Sequence, residues 1–136
     1  MDLYTRIEDS FDKQYFLEHL GAKLESVEEG KVSISIENAK YLSQQTGFMH
    51  AGVTTTIADS AAGYAALTMM PEDQEVLSIE FKVNLMRPAA GHKIQANARV
   101  IKPGRQITVV EADVVDVESG KIIAKFQGTM IGVAKE

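Results

Sequence analysis

Asp59 is the one charged residue in the apolar segment that runs from Ala51 to Met70. A carboxylate in such surroundings is costly to ionise unless it is paired or reached by water. It is therefore a candidate general base or nucleophile, because active sites often hold carboxylates in environments of this kind. A structural aspartate that bonds a nearby backbone group or a surface lysine would leave the same pattern, and both interpretations stay open.

His50, Ala51 and Gly52 stand where an irregular stretch of sequence meets this apolar segment. A helix that begins here has backbone N–H groups without intrahelical partners at the positive end of its dipole. Such groups can bind a developing oxyanion, and small residues at 51 and 52 would let a substrate carbonyl come near. An ordinary capped helix start, with His50 on the surface, is the alternative.

The spacing between the helix start and the acid limits how they can cooperate. Ala51 and Asp59 are eight residues apart, which corresponds to about 12 Å along a helix. Groups that act on one carbonyl must each lie within about 3–3.5 Å of their targets. Joint catalysis by these residues therefore predicts a dimer in which the helix start and the acid belong to different chains.

Other polar residues are weaker candidates. Gln44, six residues before His50, could donate an amide hydrogen bond, although a solvated loop glutamine is the simpler interpretation. Ser78 lies on the polar side of a predicted strand and could hold a water molecule, but most such serines are only half-exposed strand residues. His19 and His92 have no metal-like spacing to other ligands, so no metal site is predicted.

A predicted turn combines two cations, Lys102 and Arg105, with Pro103 and Gly104. Such a turn could hold a phosphate group, and a simply solvated turn is the alternative. The chain has no G-x-S-x-G, G-x-x-x-x-G-K-[ST] or G-x-G-x-x-G motif. Serine-elbow hydrolases, P-loop proteins and dinucleotide-binding proteins therefore lose their main support.

Composition indicates one ordinary globular domain over residues 1–136, with 45% hydrophobic and 24% charged residues. The net charge of −5 disfavours nucleic acid and gives no attraction to a membrane surface. The absence of cysteine excludes disulfides, thiolate metal sites and a cysteine nucleophile. The charged N-terminus has no apolar stretch typical of a signal peptide, which predicts a cytoplasmic protein.

Hydrophobic periodicity predicts one buried helix and several long strands. Residues 1–21 form an N-terminal helical segment, with Ser10 as a possible cap and Gly21 as its end. Residues 38–49 have no period and are predicted as a loop. Residues 51–70 are apolar on all sides, which predicts a central helix buried all round. A transmembrane helix is rejected because the amphipathic strands that follow need a soluble core partner.

Alternating residues predict strands over residues 31–36, 77–85, 94–100, 106–118 and 121–134. In the second of these, Leu77 to Leu85, the apolar residues at odd positions would all share one face. Short turns such as Glu29-Gly30 and Ser119-Gly120 make the sheet antiparallel. The prediction is an α+β fold in which a long antiparallel sheet of about five or six strands curls around the central helix. The small residues of that helix, Gly63 among them, would let the strands approach closely.

The loop and helix residues together resemble a known family motif, which here comprises Gln44, His50, Ala51, Gly52, Ala58, Asp59 and Gly63. The pattern is similar to that of the PaaI-like acyl-CoA thioesterases of the hotdog fold. Their motif has an Asn or Gln, then His-Gly-Gly, then a helix that carries the catalytic acid nine residues after the His. The strand LSIEFKVNLMRPA is also similar, and the resemblance covers residues 21–133.

The resemblance implies a hydrolase that cleaves an acyl-CoA thioester. Asp59 would be the general base or nucleophile, and the N–H of Ala51 would bind the thioester oxygen. Gln44 and His50 would orient or polarise the thioester, and Ser78 would position the water of Asp59. The implied substrate contacts are Gly52 and, for the CoA phosphates, Lys102, Gly104 and Arg105.

The family also implies an obligatory homodimer, expected to pair further into a tetramer as a dimer of dimers. It implies no cofactor, since CoA is part of the substrate. His-Ala-Gly replaces the usual His-Gly-Gly, and glutamine stands at 44 in place of the commoner asparagine, so the acyl group stays open. Aliphatic and aryl groups both suit the candidate lining residues, which are Met49, Tyr64, Met69, Met70 and Phe81.

Two other functions are compatible with the same fold. A hydratase or dehydratase would act on an enoyl thioester, but neither a His-Phe-Pro-Gly motif nor an Asp-x4-His pair is present. A non-catalytic acyl-CoA binding module would not need a carboxylate in the apolar helix. Free-thiol release with a panel of CoA esters separates these alternatives.

Overall fold

The computed structural model describes all residues from Met1 to Glu136. Its helices are α1 (Leu3–Phe11), α2 (Tyr15–Leu20) and α3 (Ala51–Leu67). Its strands are β1 (Lys23–Glu28), β2 (Lys31–Glu37), β3 (Gln74–Leu85), β4 (Lys93–Lys102), β5 (Ile107–Asp116) and β6 (Ile122–Ala134). The predicted loop over residues 38–49 contains one short 3-10 helix, Lys40–Leu42.

The six strands form one antiparallel sheet in the order β1-β2-β4-β5-β6-β3. The predicted α+β fold with an antiparallel sheet of about five or six strands is therefore confirmed. β1 and β2 form a hairpin around Glu29-Gly30, where Gly30 has a φ of 78° that glycine adopts without strain. β1 and β3 are the two edges of the sheet.

Helix α3 packs against β2 to β6, and its residues from Ala61 to Leu67 are all buried. They meet a layer of fully buried side chains from the sheet, among them Ile34, Ile94 and Val110. The first half of α3 differs, because Ala51 and Gly52 are exposed and Asp59 is only half-buried. The prediction of a helix buried all round is therefore right for the second half and wrong for the first.

The predicted end of the central helix at Met70 is also wrong, because α3 ends at Leu67. The guanidinium of Arg6 donates to the carbonyl oxygens of Leu67 (3.1 Å), Met70 (2.8 Å) and Pro71 (2.7 Å). The carbonyls of Leu67 and Pro71 also accept the backbone N–H groups of Met70 (3.0 Å) and Gln74 (3.1 Å), so Arg6 is the sole partner only of the Met70 carbonyl. The guanidinium also places a cation at the negative end of the helix dipole. α1 is thereby attached to the end of α3.

The N-terminal segment contains two helices rather than one. Asp2 caps α1 by accepting a hydrogen bond from the Thr5 N–H at 2.9 Å. Ser10, predicted as a cap, lies inside α1, while Gly21 ends α2 in the left-handed region as predicted. None of the three helices has the length and apolar character needed to span a membrane.

Strand β3 departs from the predicted alternation because its register shifts between Ser78 and Glu80. Such a bulge adds an unpaired residue, here Ile79, and changes the faces of the residues around it. β3 pairs only with β6, and most of its large apolar side chains are about half exposed: Leu77, Ile79, Phe81 and Leu85. The sheet thus ends in a long apolar edge.

Close strand packing does not explain the helical glycine at position 63. A Cβ placed on Gly63 would have its nearest neighbour, Cγ1 of Val76, at 3.9 Å, which is an ordinary van der Waals contact. The prediction that small size serves a close approach at this position is therefore wrong.

Candidate active site

His50 is the N-cap residue of α3, and its Nδ1 accepts the N–H of Gly52 at 2.8 Å. Because a neutral imidazole carries one proton, the ring that accepts at Nδ1 holds its proton on Nε2. The His50 backbone N–H donates to the carbonyl of Leu42 at 2.8 Å and so anchors the helix start to the preceding loop. The exposed edge of the ring is therefore a hydrogen-bond donor.

The N–H of Ala51 is the free donor at this helix start. Gly52 donates to the His50 ring and Val53 donates to the His50 carbonyl at 2.9 Å, whereas the Ala51 N–H has no acceptor in the chain. Ala51 is exposed, so an external oxygen can reach it. A free N–H at the positive end of a helix is the kind of group that stabilises an oxyanion.

Gly52 is required by the histidine cap. A Cβ on Gly52 would lie 2.9 Å from Nδ1 and 3.3 Å from Cε1 of His50, too close for the ring to keep its place. The glycine therefore supports the orientation of His50, and its predicted contact with substrate stays a prediction.

Gln44 lies in the loop before the helix, where its backbone N–H donates to the Phe48 carbonyl at 2.8 Å. Its side-chain Oε1 accepts from the backbone N–H and the hydroxyl of Thr46. The oxygen is thus engaged within the loop, which leaves the amide N–H₂ as a donor. Gln44, His50 and Ala51 line one cavity of about 450 Å³.

Asp59 is fixed by a single strong hydrogen bond. The hydroxyl of Ser78 donates to its Oδ1 at 2.6 Å and also contacts the sulfur of Met130 at 3.2 Å. Ser78 thus bonds the carboxylate itself, and its predicted role of positioning a water for Asp59 stays a prediction. The second carboxylate oxygen, Oδ2, has no partner in the chain.

The acid and the helix start do not share a cavity within one chain. Asp59 and Ser78 line a different cavity of about 610 Å³, on whose wall neither His50 nor Ala51 lies. This separation agrees with the distance of about 12 Å expected from their spacing along the helix.

The basic turn lies apart from both cavities. Lys102, Gly104 and Arg105 are all exposed, and neither cation forms an ion pair. A Cβ on Gly104 would collide with the carbonyl oxygen of Ile107, so the turn needs glycine there. Gly104 and Arg105 line a third cavity of about 540 Å³, but Lys102 does not.

Sequence reasoning missed the contribution of the N-terminal helices. Arg6, Ser10 and Gln14 line the cavity of Asp59 together with Tyr64 from α3. Burial raises the pKa of the Tyr64 phenol above its usual value of 10.0. In the sequence, the one sign of this contribution to the cavity was the polar surface of the first helical segment. Such a surface is equally typical of a helix that only faces solvent.

Both the sequence and the fold of the chain are similar to those of known proteins. The thioesterase superfamily model matches residues 46–123. A solved thioesterase family protein from Silicibacter pomeroyi is 37% identical and superimposes with a TM-score of 0.94, over 98% of this chain and 100% of its own. The E. coli PaaI protein superimposes with a TM-score of 0.89 over 97% and 94% of the two chains, at 19% identity.

A curated relative is similar over most of the chain. The 1,4-dihydroxy-2-naphthoyl-CoA hydrolase of Listeria monocytogenes is 28% identical over 106 residues, which are 78% of this chain and 85% of that protein. The fold is the hotdog fold, and the predicted resemblance to the PaaI-like proteins is confirmed. The chain belongs to the thioesterase superfamily.

Proposed function

We propose that this thioesterase hydrolyses an acyl-CoA to a free acid and CoA at sites built jointly by two copies of the chain. The observation that carries the proposal is the free Ala51 N–H at the start of α3, beside the donors of His50 and Gln44. Asp59, held by Ser78, supplies the carboxylate that such a donor group needs opposite it.

The exposed strand β3 supports pairing of two copies. A long apolar edge strand is a surface that proteins normally cover. Ser78, which holds Asp59, lies in the first half of β3, whereas Leu85 at its end lines the cavity of His50. Antiparallel pairing of β3 with its copy about a two-fold axis sets the first half of one strand against the second half of the other. The acid of one copy then approaches the helix start of its partner.

The proposed reaction uses each group according to its hydrogen-bonding state. The thioester oxygen accepts from the Ala51 N–H, with His50 Nε2–H and the Gln44 amide as further donors. Asp59 either removes a proton from a water that attacks the carbonyl carbon, or attacks this carbon itself to form an anhydride that water then hydrolyses. In both routes the C–S bond breaks, and the CoA thiolate leaves and takes up a proton. The Ser78 bond to Oδ1 directs the free Oδ2 to this chemistry.

CoA as the leaving group is supported by two features. The Listeria relative is named for hydrolysis of a CoA ester. Arg105 and Lys102 are unpaired cations on an exposed turn, and unpaired cations suit the phosphates of CoA. The third cavity, beside Arg105, gives these phosphates a surface to lie on.

Substitution of Asp59 by asparagine tests the proposal. Asp59→Asn keeps the size of the side chain and a hydrogen bond to Ser78, but it removes the base or nucleophile. We expect a folded protein whose kcat for thiol release falls by about 10²–10⁴. Asp73→Asn, at an exposed position outside both halves of the site, is the matched control. An unchanged kcat over short, medium, long-chain and aryl CoA esters would remove Asp59 from the mechanism.

The same panel separates hydrolysis from the two alternatives. Hydration of crotonyl-CoA, seen as loss of its ultraviolet absorbance without thiol release, would identify a hydratase. Tight binding of CoA esters with neither reaction would identify a binding module.

A further inference from the structure

The cavity beside Asp59 continues along α3 to the N-terminal helices. Its wall runs from Asp59 past Gly63 to Tyr64 and includes Ser10 and Gln14. Asp59 and Tyr64 are five residues apart on the helix, about 7.5 Å along its axis. An acyl group that extends from Asp59 along this wall would reach Tyr64. We call this space the acyl cavity.

Part of the wall of the acyl cavity is a hydrogen-bonded group from three elements. The hydroxyl of Tyr64 accepts from Nε2 of Gln14 at 2.6 Å and lies 3.1 Å from Oγ of Ser10. Ser10 belongs to α1, Gln14 to the link that follows it, and Tyr64 to α3. We call these three residues the polar cluster. Gln14 and Ser10 each have further hydrogen-bonding capacity toward the cavity.

Gly63 keeps the middle of the cavity open. Glycine inside a helix is less stable than alanine, and a Cβ here would touch nothing closer than 3.9 Å. The fold therefore gains nothing from glycine at this position. The added space lies on the cavity wall between Asp59 and Tyr64, where an acyl group would pass.

We propose that the polar cluster determines specificity and selects a short acyl group that carries a neutral hydrogen-bonding function at its far end. The inference rests on the proposed function and adds the substrate class. Only five of the 17 residues that line the cavity are hydrophobic. A long alkyl chain would displace water from these polar groups without replacing its hydrogen bonds. The wall carries both cations and anions, among them Arg6 and Asp9, so a neutral polar group suits it better than a charged one.

A matched pair of substrates tests this specificity. For hexanoyl-CoA and ω-hydroxyhexanoyl-CoA, we expect the wild-type protein to have the higher kcat/KM with the hydroxylated ester. Tyr64→Phe and, separately, Gln14→Ala should lower this preference about three- to tenfold, the value of one hydrogen bond. Tyr4→Phe, the same change at an exposed position of α1 outside the cavity, should leave the preference unchanged. Gln14 is exposed, so its variant tests the cluster even if Tyr64→Phe fails to fold.

A second variant tests the path of the acyl group. Gly63→Ala should keep or raise Tm while it lowers kcat/KM for both hexanoyl esters relative to acetyl-CoA. A wild-type kcat/KM for hexanoyl-CoA that equals or exceeds that for ω-hydroxyhexanoyl-CoA, or a preference that neither cluster variant changes, would overturn the inference and leave thioester hydrolysis standing. A protein that releases thiol from none of the esters would overturn the proposed function and this inference together.

Discussion

Ala51→Pro removes one hydrogen-bond donor and leaves the helix in place. Ala51 is the first residue of α3, a position where proline is favoured because its fixed φ suits the helix and its missing N–H had no intrahelical partner. His50 precedes it with φ −59° and ψ 138°, which a residue before proline adopts readily. We expect the variant to fold and its kcat to fall by about 10²–10³, corresponding to 2.7–4 kcal/mol for one oxyanion donor. Ala51→Gly keeps the N–H and is the control.

Mixing this variant with Asp59→Asn tests whether the site is shared between chains. When equal amounts are unfolded and refolded together, half of the dimers contain one chain of each kind. In each mixed dimer one site combines the native acid of one chain with the native helix start of the other, and the second site carries both changes. Thiol release should therefore return to about one quarter of the wild-type value, from about 1% or less in either parent.

The opposite result has an equally clear meaning. If the acid and the helix start of the same chain formed the site, every site in every dimer would carry one change, and mixing would restore nothing. Activity of the refolded mixture at the level of its parents, with mixed dimers shown by native mass spectrometry, would refute the shared site.

Three further predictions concern other parts of the structure. Arg105→Ala should raise KM for CoA esters about three- to fivefold, since an exposed cation–phosphate contact contributes about 1 kcal/mol or less. KM for the matching pantetheine esters, which lack these phosphates, should stay unchanged. Equal effects on both kinds of ester would exclude a phosphate contact. Arg6→Leu should lower the free energy of unfolding in urea by about 2–4 kcal/mol, because it removes three charge-assisted hydrogen bonds at the end of α3. A loss below about 0.5 kcal/mol would contradict a stabilising role of Arg6 between α1 and α3. Because burial raises the pKa of Tyr64 in the folded chain above 10.0, the unfolded chain loses this proton first. The free energy of unfolding should therefore be unaffected below about pH 10 and fall above it, by at most about 1.4 kcal/mol per pH unit, and Tyr64→Phe should lack this part of the decline.

Local patterns in the sequence were sufficient to predict most of the secondary structure. Alternating apolar residues marked five of the six strands, whereas β1 was indicated only by the turn predicted at Glu29-Gly30. Gly21 and Gly30, both with positive φ, stand where a helix ends and a hairpin turns. The order of the strands depends on pairing between distant segments, so no local pattern contained it. The bulge at Ile79 was equally hidden, because it arises from the register with β6.

The residues of the candidate site also fall into those that a local pattern could predict and those that depend on contacts between distant segments. The spacing of Gln44, His50 and Asp59 was readable because the loop and the helix are contiguous in sequence. The contact between Asp59 and Ser78 joins residues 19 positions apart, and that between Tyr64 and Gln14 joins residues 50 positions apart. These contacts depend on how α1 and β3 pack against α3, which single-sequence reasoning does not provide.

Helix α3 combines two requirements that conflict within one chain. Its buried second half is mostly apolar and holds the sheet, so the groups proposed to act on the thioester itself lie in the first half, where Ala51 is exposed and Asp59 half-buried. Two turns of helix then separate the donor from the acid, a distance that no side-chain rotation spans. In the proposed dimer the exposed edge β3 resolves the conflict, because pairing two copies covers an aggregation-prone strand and places each acid at its partner's helix start. Stability of the sheet and completion of the site would thus be one event, so variants that weaken β3 pairing should lose dimer and activity in parallel.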